Sequence, residues 1–368
     1  MHELVRQYAE QQLEATSAAP QVREAYAAYF LELANAAEIG LSGAQQVPWT
    51  EQVEGEIDNF RAVMTWCKPH APEKTLRIAN ALHWFWQSRG HIREGLEWLH
   101  LVLHDSHVLA PGLRAHAFST AGFLSLIIND VDQAETDIKQ SIALYQALDI
   151  NERTIANGFA HALARMAAVA LRRLDYPAVE IHSQQAIEVA RRSNAQWSHS
   201  IALYFAGDAA YLQGNFARAQ AYYEESLTLC EAVGNQRSCG RRLTKLGHIA
   251  CIQEEVDQAN LLFKKALTMS VEYHDLICLG NALTGLARVA TMTGDYPKAI
   301  ALLAADEALS VNHLIGGFGP MDQQEVDRVL ANVHARLDEA TITAAWTMGR
   351  GLSTDQAIAY ALAGPELT

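Results

Sequence analysis

Proline is scarce in this chain, with nine residues in 368, and runs of β-branched residues are few. That poverty argues against a proline-rich linker and against a sandwich of short strands, and the abundant alanine leans towards helix. Charged residues make up only 19% and hydrophobic ones 50%, so the chain is not disordered and fills a substantial core. Basic residues are the rarer sign: 28 Lys and Arg against 42 Asp and Glu, a net charge of −14. A main task on nucleic-acid phosphates, which needs clustered Lys and Arg, is thereby disfavoured. Cys67, Cys230, Cys239, Cys251 and Cys278 are odd in number, lack CxxC spacing and match no zinc pattern, as expected of reduced cysteines in a cytoplasmic protein. The N-terminal "MHELVRQYAE" has no apolar signal-peptide core, and no apolar run approaches the ~20 residues that span a bilayer. No glycine is followed by lysine, which excludes a GxxxxGK[ST] phosphate loop within these residues.

What the chain has instead is a repeat. "YLQGNFARAQ" (211–220) interrupts strong helix with Gly-Asn, and Asn215-Phe216 recurs as Glu255-Val256 and Asp295-Tyr296. Upstream equivalents are Asp175-Tyr176, Asp130-Val131 and His91-Ile92. Four residues after each polar position stands Gly95, Ala134, Val179, Ala219, Ala259 or Ala299; four further on, Leu99, Ile138, Ser183, Tyr223, Phe263 or Leu303. Seven residues before each turn glycine or its equivalent stands His83, Gly122, Ala167, Gly207, Gly247 or Ala287. Each unit therefore reads as helix, tight turn and helix, with small residues where the pair crosses closely. One such hairpin cannot bury its apolar side alone, so neighbours must stack.

"YFAGDAAYLQGNFARAQAYYEESL" and "TKLGHIACIQEEVDQANLLFKKAL" resemble tetratricopeptide repeats (TPR), with a period near 40 in place of 34 and without the usual proline. The expected fold is all-α: a right-handed α-solenoid of six TPR-like hairpins over residues 71–314, an N-terminal helical segment over 1–70 and a helical cap over 315–368. Helices are expected near 2–16, 20–39 and 48–67 before the array, and near 321–335, 338–349 and 354–363 after it. Ser353 and Gln356 have capping-box spacing.

The phrases "LVRQYAEQQL", "EIDNFRAVMTW", "WFWQSRGHIREGLEWL" and "AAWTMGRGLSTDQAIAYAL" occur in an order similar to the C-terminal part of bacterial STAND-type, LuxR/AfsR-like NTPase regulators. In that family an NTPase and a winged helix precede the repeats, so residues 1–70 would follow the winged helix. The resemblance implies a sensor region lacking its NTPase, either an excised domain or an independent descendant. It implies no catalytic or nucleotide-binding residue and no cofactor.

Several local features invite chemistry. His100, His104 and His107 have helical spacing near Asp105, as a metal site would, but an exposed helix end explains them as well. Trp84, Phe85, Trp86 and Trp98 suit core packing with an end-of-array patch. "GGFG" (316–319) would cradle a phosphate only after a strand, and Glu224-Glu225 and Glu254-Glu255 read as surface acids. The first helices of the repeats line the concave face, and projecting them collects Arg165, Tyr204, Asp208, Tyr211, Arg241, Lys245, His248 and Arg288. Arg241, Lys245 and His248 share one helical face at i, i+4 and i+7. A cationic groove in so acidic a chain suggests a grip on a protein, an acidic peptide or a small anionic effector; the alternative is that these charges are solvated or pair with groove acids such as Asp208. On the first view, Lys245→Ala with Arg288→Ala weakens partner binding and barely lowers the melting temperature. The expected function is a non-enzymatic sensor or protein-interaction module signalling to an NTPase or output domain in cis or trans, with no metal and no direct nucleic-acid or membrane binding. The alternative is a free-standing scaffold that binds a protein without switching.

Overall fold

The computed structural model describes residues 8, 11–13, 15–104, 109–312 and 319–363. Most of the first expected helix, 2–16, and most of "GGFG" lie outside the described residues. Among the described residues all regular structure is helical. Helices α1 (Ala19–Ser42) and α2 (Gln46–His70) form an antiparallel pair against α3 (Pro72–Ala81). A local break at Leu82 (φ −84°, ψ 9°) splits the first helix of the first repeat into α3 and α4 (His83–Ser88), and α5 (Ile92–Leu103) completes that repeat. This break lets neighbouring aromatics bury together: Trp84, Phe85 and Trp86 all lie in the core, and Trp86 Nε1 donates to the Ala79 carbonyl at 2.9 Å.

Five further hairpins follow: α6 (Pro111–Ile127) with α7 (Val131–Gln146), α8 (Arg153–Arg172) with α9 (Tyr176–Ser193), and α10 (Gln196–Leu212) with α11 (Phe216–Ala232). The last two are α12 (Gln236–Ile252) with α13 (Val256–Glu272), and α14 (Leu276–Thr293) with α15 (Tyr296–Asn312). Their crossings use the residue pairs legible in the repeat. A Cβ on Gly122 would stand 2.5 Å from Ile138, one on Gly207 2.5 Å from Tyr223, and one on Gly247 2.7 Å from Phe263. Where the third repeat has Ala167 in place of glycine, the residue sixteen further on is the small Ser183, and both are buried. Every hairpin bends through a left-handed residue at the same place: Gly90, Asn129, Leu174, Gly214, Glu254 and Gly294. Asp130, Asp175 and Asn215 then cap the second helices with their side chains.

Helices α16 (Pro320–His334), α17 (Glu339–Arg350) and α18 (Thr354–Leu362) stand within a few residues of the expected bounds, and Ser353 and Gln356 form the capping box. Their arrangement differs from a plain cap. α17 and α18 cover α15, but α16 turns back into the concave face, along α14 and as far as α10. The superhelix also curls nearly shut. Gln46, the first residue of α2, donates from its amide to Asn235 Oδ1 at 3.0 Å and accepts from the Arg237 backbone at 3.2 Å; Trp84 meets Trp197 with ring centroids 6.0 Å apart. The concave face is thus an interior and not the open extended surface that repeat stacking alone suggests. One helix, Leu276–Thr293, is long and apolar enough to cross a membrane (mean hydropathy 1.3), but 72% of it is buried inside the protein.

Candidate functional site: the concave interior

Two adjoining cavities occupy the concave interior. The larger, about 170 Å³, is bounded by Phe123, Tyr204, Asp208, Asn281, Asp306 and, from α16, Asp322. The smaller, about 70 Å³, lies between Trp84, Trp197, Tyr204, Arg165, Arg242 and His161. Phe123, Tyr204, Phe205 and Arg241 border both.

All eight residues singled out in the sequence face this interior or its walls, but the chain itself engages most of them. Arg241 makes a bidentate pair with Asp275, at 2.6 and 2.9 Å. Lys245, fully buried, donates to Asp322 Oδ1 at 2.6 Å and lies 3.6 Å from Asp208 Oδ1. Burial pulls the Lys245 ammonium down, but Asp208 and Asp322 outweigh it and hold it well above its ordinary value. Burial pushes Asp208 up to about 6 despite Lys245 and the Tyr223 hydroxyl, which donates to it at 2.7 Å.

Glu325 of α16 is the hub of the opposite end, with no exposed surface. Tyr211 donates its hydroxyl to Glu325 Oε1 at 2.6 Å, Arg288 pairs with Oε2, and His248 Nδ1 stands 3.4 Å from Oε2. Arg328, one turn along the same helix, approaches Oε1 at 3.2 Å. Burial alone would raise the Glu325 carboxyl; His248, Arg288 and Tyr211 together hold it far below the usual carboxylate range. Burial pushes His248 itself down, against the opposing pull of Glu325. The acids facing Lys245 and Arg288 therefore come from a segment whose sequence signal is only a proline-led helix with Asp322 and Glu325 at i, i+3 in and beside its first turn. Nothing in that spacing says which surface it will meet.

Burial also reverses the expectation that Lys245 and Arg288 can be truncated without loss of stability. Each removal strands a buried carboxylate, a change that typically costs 3–5 kcal/mol. Arg165 is different. It is buried on α8, donates from Nη1 to Ser119 Oγ at 2.8 Å and lies 4.8 Å over the Phe123 ring, with no carboxylate paired to it. Tyr204 separates the two regimes, with Arg242 at 4.8 Å and Lys245 at 5.5 Å from its ring.

Elsewhere, His100 pairs with Asp137 at 2.9 Å, His107 lies outside the described residues, and no group of three metal-ligating side chains occurs among those described. Glu225 reaches Arg191 and His199 on the surface.

No family model matches the chain. Proteins named as HTH-type transcriptional regulators in Mycobacterium tuberculosis and Mycobacterium bovis are 28% identical over 190 residues, half of this chain. The chain spans only about a fifth of the length of these relatives (21%). Among solved structures, aspartyl phosphate phosphatase F from Bacillus subtilis aligns with a TM-score of 0.55 at 13% identity, covering 96% of this chain and 89% of its own. A Rap protein complexed with competence and sporulation factor aligns with a TM-score of 0.54 at 12% identity, covering 90% of this chain and all of its own. A signal-transduction ATPase with a tetratricopeptide-repeat sensor, from Pyrococcus horikoshii, aligns at 0.47 and 13% identity, covering 95% of this chain and 57% of its own. The shared element is the fold: an all-α solenoid of TPR-like hairpins.

Proposed function

We propose that this chain is the effector- or partner-sensing part of a bacterial transcriptional or signal-transduction regulator, acting through protein contacts and without chemistry of its own. The observation that carries the reading is α16 itself: the concave interior holds an acidic helix through Lys245, Arg288, His248 and Tyr211. Such a surface recognises an acidic helical segment by charge and by an apolar anchor, here Met321, which is fully buried near the Tyr223 hydroxyl. The likeness to regulators over half the chain supports a regulatory setting. The Rap protein of similar fold, crystallised with a signalling factor, supports a ligand-holding role for the solenoid.

In this reading α16 is the resident occupant, and signalling exchanges it for a partner's helix or leaves it docked. A ligand biases that exchange only by binding one state better than the other. The output, an NTPase or DNA-binding domain in cis or trans, reads whether α16 is docked.

A labelled peptide covering residues 319–334 tests the reading. It should fail to bind the wild-type chain, whose interior is occupied. It should bind a variant carrying Asp322→Ala and Glu325→Ala, in which the resident helix is loosened, with an affinity that falls as salt rises. A peptide that binds neither protein defeats the proposal, provided the variant retains its helical circular-dichroism signal.

A further inference from the structure

Around the smaller cavity of the concave interior lie two basic groups, Arg165 of α8 and Arg242 of α12, that form no ion pair among the described residues. Arg165 is 3% exposed; its Nε meets no partner, and its one side-chain hydrogen bond goes to the neutral Ser119. The titratable groups facing it are His83 on α4, His116 on α6, His161 on α8 and Tyr145 on α7. None of them is a carboxylate. Burial, then Arg165, drives the imidazoles down, His83 to about 3 and His116 to about 4, so they stay neutral near pH 7. Across the smaller cavity, Arg242 is equally buried and bonds only to Ser226 Oγ, the Ser238 carbonyl and Ser200 Oγ, while its guanidinium lies over Trp197 and Tyr204.

A buried guanidinium without a counter-charge is expensive, and natural chains normally supply a carboxylate, as this one does for Arg241, Lys245 and Arg288. We propose that the missing charge arrives with a ligand: a small organic anion, its carboxylate or phosphate held by Arg165 with Arg242 alongside and its planar or apolar body stacked among Trp84, Trp197 and Tyr204. The inference rests on the sensing reading above and names the effector class for it. The forked guanidiniums match a two-oxygen anion. The adjoining 170 Å³ cavity gives the body of the ligand room to extend towards α16. Tyr204 borders both cavities and carries Arg242 and Lys245 at its ring, and Lys245 in turn holds Asp322 of α16, so an anion in the smaller cavity is linked to the α16 contact through these side chains.

Titrating the full chain with benzoate, its neutral isostere benzamide and inorganic phosphate, by calorimetry and thermal shift, tests the assignment. Benzoate or phosphate should bind the wild-type chain and raise its melting temperature, and benzamide should do neither. Preference for benzoate points to an organic acid, and preference for phosphate to a phosphorylated ligand; either supports the site. Arg165→Met should weaken the anion about tenfold or more. Without ligand it should melt no lower than wild type, because it removes an unpaired buried charge. Arg165→Lys, which keeps the charge and loses the fork, should fall between. The proposal is overturned if neither anion binds wild type, if Arg165→Met binds as well as wild type, or if Arg165→Met is markedly less stable without ligand, which would make Arg165 a packing residue. Failure here with continued binding of the 319–334 peptide to the loosened variant would sink the anion site and leave the interaction-module reading standing.

Discussion

The two halves of one concave surface handle buried charge in opposite ways. In the C-terminal half, Arg241, Lys245 and Arg288 meet Asp275, Asp322 and Glu325, two of them delivered by α16. In the N-terminal half, Arg165 of α8 meets a hydroxyl and an aromatic face, and Arg242, on α12 beside Arg241 but turned to the smaller cavity, likewise meets only hydroxyls, a backbone carbonyl and aromatic faces among the described residues. Both halves use first helices of the same repeat, so the difference does not come from the repeat. It follows where α16 lies, packed along α14 and α10 with Asp322 and Glu325 turned to Lys245 and Arg288. A solenoid supplies equivalent positions along its length, and a single docked helix makes them unequal.

The sharpest way to break this comparison is to remove one cation from each half. Arg288→Met takes from buried Glu325 its more buried guanidinium, leaving Tyr211, His248 and the partly exposed Arg328, and should cost about 3 kcal/mol or more, measured by denaturant unfolding. Arg165→Met in the absence of ligand should cost less than about 1 kcal/mol, or raise stability. Equal losses would mean that the two halves are electrostatically alike.

Next in size is the response to pH, where two buried carboxylates act with opposite sign. Asp306 accepts from Thr284 Oγ1 at 2.9 Å and has Asp322 as its charged neighbour, and it forms no ion pair among the described residues. Burial pushes it up to about 7 from an ordinary 3.8. Between those values the unfolded chain has lost the proton and the folded chain keeps it, so stability from this group falls as pH rises from about 4 to 7. Its slope is at most about 1.4 kcal/mol per pH unit. Glu325 has its folded value depressed, so its contribution is complete above the ordinary carboxylate range and fades as pH falls below about 4.5. Asp306→Asn should therefore flatten the decline between pH 5 and 7 in a series of urea melts, and leave the acid-side loss in place.

The smallest expected effect lies outside the interior. Leu174 occupies a left-handed turn (φ 59°) at a site where three of the six repeats have glycine, and its side chain is exposed. Leu174→Gly should stabilise the third hairpin by about 0.5–1 kcal/mol, the backbone strain relieved minus the entropy that glycine adds to the unfolded chain. A destabilisation in thermal unfolding would show that Leu174 makes packing contacts worth more than its strain.

Much of the fold was legible because local rules repeat. The glycine or its substitute at each bend and the paired small and bulky residues at each crossing are short-range demands. Gly207 with Tyr223 and Gly247 with Phe263 satisfy them at a fixed separation of sixteen residues. The concave residues were legible for the same reason, since helical spacing fixes which side chains share a face. Their partners were not. Asp322 and Glu325 are 77 and 37 residues from Lys245 and Arg288, in a helix whose local pattern says only that it has an acidic face. Trp197 and Arg242 were overlooked because their role depends on the superhelix closing until Trp84 meets Trp197.

By itself, the sequence determined that this chain is a stack of helical hairpins with a particular set of cations on their inner helices, because periodicity, turn residues and crossing volumes act within some forty residues. Only the tertiary structure decided whether those cations face water, a partner or the chain's own acids. That outcome depends on the curl of the whole superhelix and on where α16 lies down, and charges as far as 77 residues apart meet only once both are fixed.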